Sequence, residues 1–269
     1  MPVTRIDECF ARLRASGRKA LIPFITAGDP ALEATVPVMH ALVAAGADVL
    51  ELGVPFSDPM ADGPTIQRSS ERALGRGAGL RYVFDSVAAF RQRDTATPVV
   101  LMGYLNPVEI RGAARFATEA VAAGVDGVLL VDLPPEEAAE TRAAFTAAGL
   151  ALVLLASPTS SEQRLAGLCE AAQGYLYYVS FAGVTGASER LDSAAAGERL
   201  RLLRSRAKMP VVAGFGIKDA ASAVAMAVDA DGVVVGSALV AAMADAASVE
   251  EAVRSAGAFL APLRQALDA

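Results

Sequence analysis

Short, continuously apolar runs alternate along the chain with longer stretches of helical spacing. Ile6 to Leu13 reads as a short amphipathic helix, and the alternation then begins with Ala20-Leu21-Ile22-Pro23-Phe24-Ile25-Thr26, stopped by Gly28-Asp29-Pro30. Residues 31–45 carry Val36, Val38, Met39, Leu42 and Val43 at helical intervals and end at Gly46. Further apolar runs follow at 49–53, 98–103, 127–131, 151–155, 175–179, 210–214 and 232–235. Between and after them, helical patterns are predicted at 80–92, 109–123, 135–148, 161–172, 195–207 and 219–228, with more helix to the C-terminus. The stretch between 53 and 80 reads as a long loop.

Runs that are apolar at every position, rather than at alternate ones, belong to strands covered on both faces. Eight of them, nearly all followed by a helix, predict a parallel (β/α)8 TIM barrel with an extra N-terminal helix. No linker divides the chain, so residues 1–269 are expected to form one domain. The structural competitor is a doubly wound open sheet. It carries a glycine-rich fingerprint after its first strand, and here that turn is Thr26-Ala27-Gly28-Asp29-Pro30.

Composition narrows the function. Hydrophobic residues make up 54% of the chain, which excludes general disorder, and the net charge of -6 with dispersed Lys and Arg gives no case for nucleic acid. The N-terminal segment carries charges from Arg5 to Arg18 and does not read as a signal peptide. The apolar stretch 220–244 is interrupted by Asp229 and Asp231, so no membrane span is expected and the cytoplasm is the expected location. Cys9 and Cys169 are expected as buried free thiols, and His40, the single histidine, lies in a helical pattern. One His and two distant Cys give no metal site.

Catalytic groups of a barrel sit at the C-terminal strand ends. Those ends supply Phe24, Thr26 and Asp29; Glu51, Asp58 and Asp62; Tyr104 and Asn106; Asp132; Tyr177 and Ser180, with the loop Gly183-Val184-Thr185-Gly186; Gly214-Phe215-Gly216; and Gly236-Ser237. Glu51 stands out. It is a carboxylate at the mouth of an apolar strand, which is costly without a partner. No Lys or Arg falls among these strand-end residues, so its pKa is expected to be raised, as acid–base chemistry requires. The small-residue loops after strands six, seven and eight can converge backbone N–H groups on a phosphate. For Asp62, catalysis and a plain turn role stay open, and Tyr177 could point into the barrel or outward. Phe24, Tyr104 and Leu129 suit either the core or a flat apolar slot. The absence of a strand-end Lys argues against an imine-forming aldolase. The residues alone therefore indicate proton-transfer chemistry on a phosphate-bearing substrate.

At this point the motifs resemble a known family. Pro23-Phe24-Ile25-Thr26-Ala27-Gly28-Asp29-Pro30, residues 51–67 beginning Glu51-Leu52-Gly53-Val54-Pro55-Phe56-Ser57-Asp58, Asp132-Leu133-Pro134-Pro135, Ala182-Gly183-Val184-Thr185-Gly186 and Gly214-Phe215-Gly216-Ile217 are similar to the tryptophan synthase alpha chain family over nearly the whole length. The resemblance implies a lyase that cleaves indole-3-glycerol phosphate to indole and glyceraldehyde 3-phosphate. It implies Glu51 as the acid–base, Asp62 as the partner of the indole N–H, and Tyr177 as an active-site tyrosine. It places Phe24, Tyr104 and Leu129 around the indole, and Thr185, Gly186, Gly216, Gly236 and Ser237 in the substrate and phosphate site. It further implies a complex of two alpha and two beta chains, with pyridoxal phosphate in the beta chain and no cofactor in this one. The segment 57–61 and the loop near Gly183 are then expected to order on binding and to signal to the partner.

Two departures from the family pattern are Phe181, where many relatives carry Arg, and Val131, where relatives often carry Pro. Other readings are a sugar-phosphate epimerase, the barrel synthase that makes indole-3-glycerol phosphate, or a silent subunit that only activates a partner. Epimerases usually need several His for a metal, and the synthase reaction would use Lys as acid, of which only Lys19, Lys208 and Lys218 exist. Intact Glu51 and Asp62 argue against the silent subunit.

Overall fold

The computed structural model describes residues 3–157, 160–179, 193–214 and 216–269. Its strands are β1 (Ala20–Thr26), β2 (Leu50–Gly53), β3 (Val99–Gly103), β4 (Gly127–Leu130), β5 (Ala151–Ala156), β6 (Leu176–Val179), β7 (Val211–Gly214) and β8 (Gly232–Val235). Each pairs in parallel with its neighbours in sequence, and β8 pairs with β1, so the sheet closes into a barrel. The registers Phe24↔Glu51 and Glu51↔Val100 place Glu51 one residue into β2, level with apolar residues on both sides.

Around the barrel lie α1 (Arg5–Ala15), α2 (Thr35–Ala44), α3 (Pro64–Gly75), α4 (Leu80–Arg91), α5 (Leu105–Arg111), α6 (Ala113–Ala123), α7 (Ala139–Ala148), α8 (Glu162–Ala171), α9 (Ser193–Arg206), α10 (Ala220–Ala227), α11 (Ser237–Met243) and α12 (Val249–Leu267). Three differ from the sequence expectation. Helix α3 occupies half of the predicted long loop. Pro64 begins it, at the helix position where a missing N–H costs nothing, and only Ile66, Ser69, Ser70 and Ala73 are buried. The predicted helix 109–123 is two helices broken at Gly112, whose φ is 81°. The predicted helix from 135 starts only at Ala139, after a series of turns.

Two apolar clusters result. The larger fills the layer between strands and helices. The smaller fills the barrel itself, with Ile22, Phe24, Val100, Leu129, Val153, Tyr175, Tyr177, Val212 and Val234. Helix α1 adds Ile6, Cys9, Phe10 and Leu13 to that inner cluster, so it plugs the barrel. A capping box between Thr4 and Asp7 starts α1, and Arg5 ties it to the strand-start carboxylate Asp126 at 2.8 Å. Arg264 of α12 is buried and reaches Asp48 at 3.0 Å and the Lys19 carbonyl at 3.0 Å. Removing either partner of such a pair strands a buried charge.

Candidate active site

Glu51 is fully buried inside the barrel rather than at its rim. The strand ends at Gly53, as the apolar run 49–53 predicts, so Glu51 lies two residues inside that end rather than at the mouth where the sequence reading set it. Nor is the carboxylate unpartnered. Tyr175 Oη donates to Glu51 Oε1 at 2.6 Å, while Oε2 has no hydrogen-bond partner among the described residues. Burial raises the Glu51 pKa to about 7, and the Tyr175 hydrogen bond opposes that rise. Both protonation states are therefore populated near neutral pH.

Tyr175, the partner of Glu51, is not among the residues singled out from the sequence. The signal existed: the alternation of side chains along a strand puts Tyr175 and Tyr177 on one face. Both join the inner cluster, whereas Tyr178 packs outward in the helix layer. This settles the direction of Tyr177. Its hydroxyl lies over Gly214 of β7, where an added Cβ would come within 2.1 Å of it. Burial first, and the Glu51 charge second, push the Tyr177 phenol well above its ordinary pKa. The Tyr177 hydroxyl thus stays neutral within the electrostatic reach of Glu51.

Asp62 lies in the loop 54–63 between β2 and α3. It is half-buried and accepts a hydrogen bond from Tyr104 Oη at 2.9 Å. The same Tyr104 oxygen accepts the Ala61 N–H at 3.0 Å, so one phenol fixes both the carboxylate and its backbone. Burial raises the Asp62 pKa, and the Tyr104 bond works against it. Tyr104 thus does more than line an apolar slot. Its ring also stacks on Phe56, with centroids 4.9 Å apart.

Phe24 and Leu129 sit in the inner cluster. Phe24 crosses above Gly53, where a Cβ would meet its Cζ at 2.6 Å, so glycine at that position makes room for the ring. Gly216 follows β7 with φ 68° and has open space beside it. Gly236 and Ser237 follow β8, and Ser237 opens α11 with its side chain exposed. Thr185, Gly186, Ser180 and Phe181 lie outside the described residues.

Other strand-end polar residues have structural partners. Asp29 is gripped by Arg72 through two bonds of 2.8 Å, Thr26 bonds Ser69 at 2.6 Å, and Asp132 accepts the Leu105 N–H at 2.8 Å. Cys9 and Cys169 are free and buried. Among the described residues no group of three or more His, Cys, Asp or Glu could hold a metal, and no helix is long and apolar enough to cross a membrane.

Fold and site together define a (β/α)8 barrel that holds one fully buried carboxylate, Glu51, inside it. The tryptophan synthase alpha chain family model matches residues 10–267. A chain named tryptophan synthase alpha chain from Xanthomonas euvesicatoria pv. vesicatoria is 80% identical over 264 residues, covering 98% of both chains. The crystal structure of tryptophan synthase subunit alpha from Legionella pneumophila superposes with a TM-score of 0.92 at 46% identity, covering 98% of each chain. A chain of the tryptophan synthase α2β2 complex of Pyrococcus furiosus superposes with a TM-score of 0.84 at 40% identity, covering 91% of this chain and 98% of that one. The chain belongs to the tryptophan synthase alpha chain family. With that membership goes its activity: carbon–carbon cleavage of indole-3-glycerol phosphate to indole and glyceraldehyde 3-phosphate, a lyase step of tryptophan biosynthesis.

Proposed function

We propose that Glu51 is the acid–base of this cleavage and that Asp62 is the charge partner of the indole ring nitrogen. Protonated Glu51 delivers its proton to the indole ring carbon that carries the glycerol phosphate chain. This generates a cationic indolenine nitrogen, which the Asp62 carboxylate stabilises. The Glu51 carboxylate then takes the proton of the adjacent glycerol hydroxyl. The hydroxyl oxygen becomes the aldehyde of glyceraldehyde 3-phosphate, the carbon–carbon bond breaks, and its electron pair restores the indole. Glu51 ends protonated, as it began.

The observation that carries this reading is the setting of Glu51: a fully buried carboxyl with a pKa near 7 and one oxygen free of any partner among the described residues. A group that must both give and take a proton works best with a pKa close to the working pH. The Tyr104 bond to Asp62 supports the second role, because it holds that carboxylate in one place on an otherwise irregular loop. Tyr177 completes the catalytic set as a neutral phenol beside Glu51. Phe24, Tyr104 and Leu129 flank the indole. The phosphate lies against Gly186, Gly216, Gly236 and Ser237, with Thr185 alongside.

The chain works with a beta chain, as in the α2β2 complex of Pyrococcus furiosus. Pyridoxal phosphate belongs to that beta chain, and this chain carries no cofactor of its own. The whole of 1–269 acts as one domain, in the cytoplasm.

Indole release from indole-3-glycerol phosphate by the purified chain, alone and with a beta chain, tests the reading. Glu51→Gln should lower the rate by about 10²–10⁴-fold, the usual worth of a general acid–base, with an unchanged circular dichroism spectrum. Near-full activity in that variant would remove Glu51 from the mechanism.

A further inference from the structure

The far end of the barrel carries a feature that the lyase reaction does not use. A cleft of about 160 Å³ opens between the end of α1, the turn 16–19 and the start of β7. It runs on into a second depression that shares Arg14, Arg204 and Asp231 with it. Together they present five cationic side chains, Arg14, Arg18, Lys19, Arg204 and Lys208, around the single carboxylate Asp231. This concentration of positive charge stands in a chain of net charge -6.

The local carboxylates do not neutralise it. Asp231 spends one oxygen on Arg204, at 2.8 Å, and the other on the Val211 N–H, at 2.9 Å. Asp268 is shared between Arg18 and Arg264. The side chains of Arg14 and Lys208 make no hydrogen bond or ion pair among the described residues. Lys19 gives one N–H to the Ala230 carbonyl at 2.6 Å and keeps two donors for another acceptor. Burial, and next the repulsion of the Arg204 charge, hold the Lys19 ammonium below its ordinary pKa, against the pull of Asp231 and Asp229. A volume several times that of one water molecule leaves room for a small anion that would relieve the repulsion.

We infer that this cleft is a second anion-binding site, on the α1 side of the barrel and separate from the substrate phosphate, for a small polyanion bearing two or more charged oxygen groups. Phosphate and carboxylate ligands share that chemistry, and pyrophosphate and citrate are the probes that separate them.

Backbone amide NMR on the intact, isotope-labelled chain tests the site. Addition of pyrophosphate or citrate is expected to shift the amides of Gly17, Lys19 and Ser205 in a saturable manner, while sodium chloride at matched ionic strength does not. Gly216 and Gly236 serve as separate reporters of binding at the substrate end. The double variant Arg14→Gln/Lys208→Gln removes two exposed charges with no structural partner, so the fold should persist. It is expected to weaken the saturable response at least tenfold. A response to pyrophosphate alone or to citrate alone identifies the ligand class and supports the site. Absence of a response to both, the same shifts with chloride, or unchanged affinity in the double variant would overturn it.

Discussion

Tyr175 and Glu51 are joined inside the barrel by a 2.6 Å hydrogen bond, and the ring of Tyr175 in turn lies 5.9 Å from that of Phe10 on the plugging helix. The phenol is the one described side chain that favours the charged form of Glu51 against the burial that disfavours it. Replacing it with Phe keeps the contact with Phe10 and removes only the donor. In Tyr175→Phe the Glu51 pKa should therefore climb above its native value of about 7. A hydrogen bond to a charged group is worth about 1.5–3 kcal/mol, so the alkaline displacement should be about one to two pH units. The pH dependence of kcat/KM for indole release reads this directly. A profile that stays in place, or moves to lower pH, would show that Tyr175 does not tune Glu51.

The same carboxyl makes stability depend on pH. The Glu51 pKa is raised from 4.5 in the unfolded chain to about 7 in the folded one. Between those values the folded state holds the extra proton, so stability is lost as pH rises through the window and the loss is complete above it. The shift corresponds to about 3 kcal/mol. In Glu51→Gln this loss should vanish. The variant is expected to gain about 3 kcal/mol relative to the native chain on going from pH 4.5 to pH 8, and urea unfolding at both pH values measures it. Parallel curves for the two proteins would mean that Glu51 titrates normally.

Asp62 and Tyr104 should behave as one unit. Asp62→Asn removes the charge proposed to face the ring nitrogen and is expected to lower kcat by about 10²–10³-fold, the cost of losing one preorganised electrostatic partner. Tyr104→Phe keeps the stack on Phe56 but frees both Asp62 and the Ala61 N–H. A loss of about tenfold is expected, in line with one broken charged hydrogen bond. Because the phenol acts through the carboxylate, the double variant should be no slower than Asp62→Asn alone. Losses that multiply would assign Tyr104 an independent role.

The barrel was legible because each strand is buried on both faces and so is apolar at nearly every position; Gly232-Val233-Val234-Val235 agrees with β8 residue for residue. Helix α3 was not, because it buries few apolar residues and spends Ser69 on hydrogen bonds to Thr26 and Ile66. A polar helix behind a loop of Pro, Gly and Asp leaves no periodic apolar signal. At the site, Glu51 announced itself as a charge in an apolar run. Its partner did not, since a tyrosine 124 positions away is apolar enough to pass as core, and only the closed barrel brings the two together. The polar role of Tyr104 was hidden for the same reason.

Gly214 carries the remaining prediction. A Cβ there would lie 2.1 Å from Tyr177 Oη, 2.7 Å from its Cζ and 2.9 Å from Val234 Cβ. None of these can be met without movement in a close-packed interior, and overpacking of this kind costs about 1–3 kcal/mol. Gly214→Ala should therefore be destabilised by that amount and should lose activity, since the phenol of Tyr177, proposed above as part of the catalytic set, must move. Adding Tyr177→Phe removes the shortest contact but leaves those to the ring carbon and to Val234. The second change should restore only part of the lost stability, giving a favourable coupling energy in a double-mutant cycle. Thermal unfolding of the four proteins decides it. Strictly additive effects would show that the Tyr177 hydroxyl does not rest over Gly214 in solution.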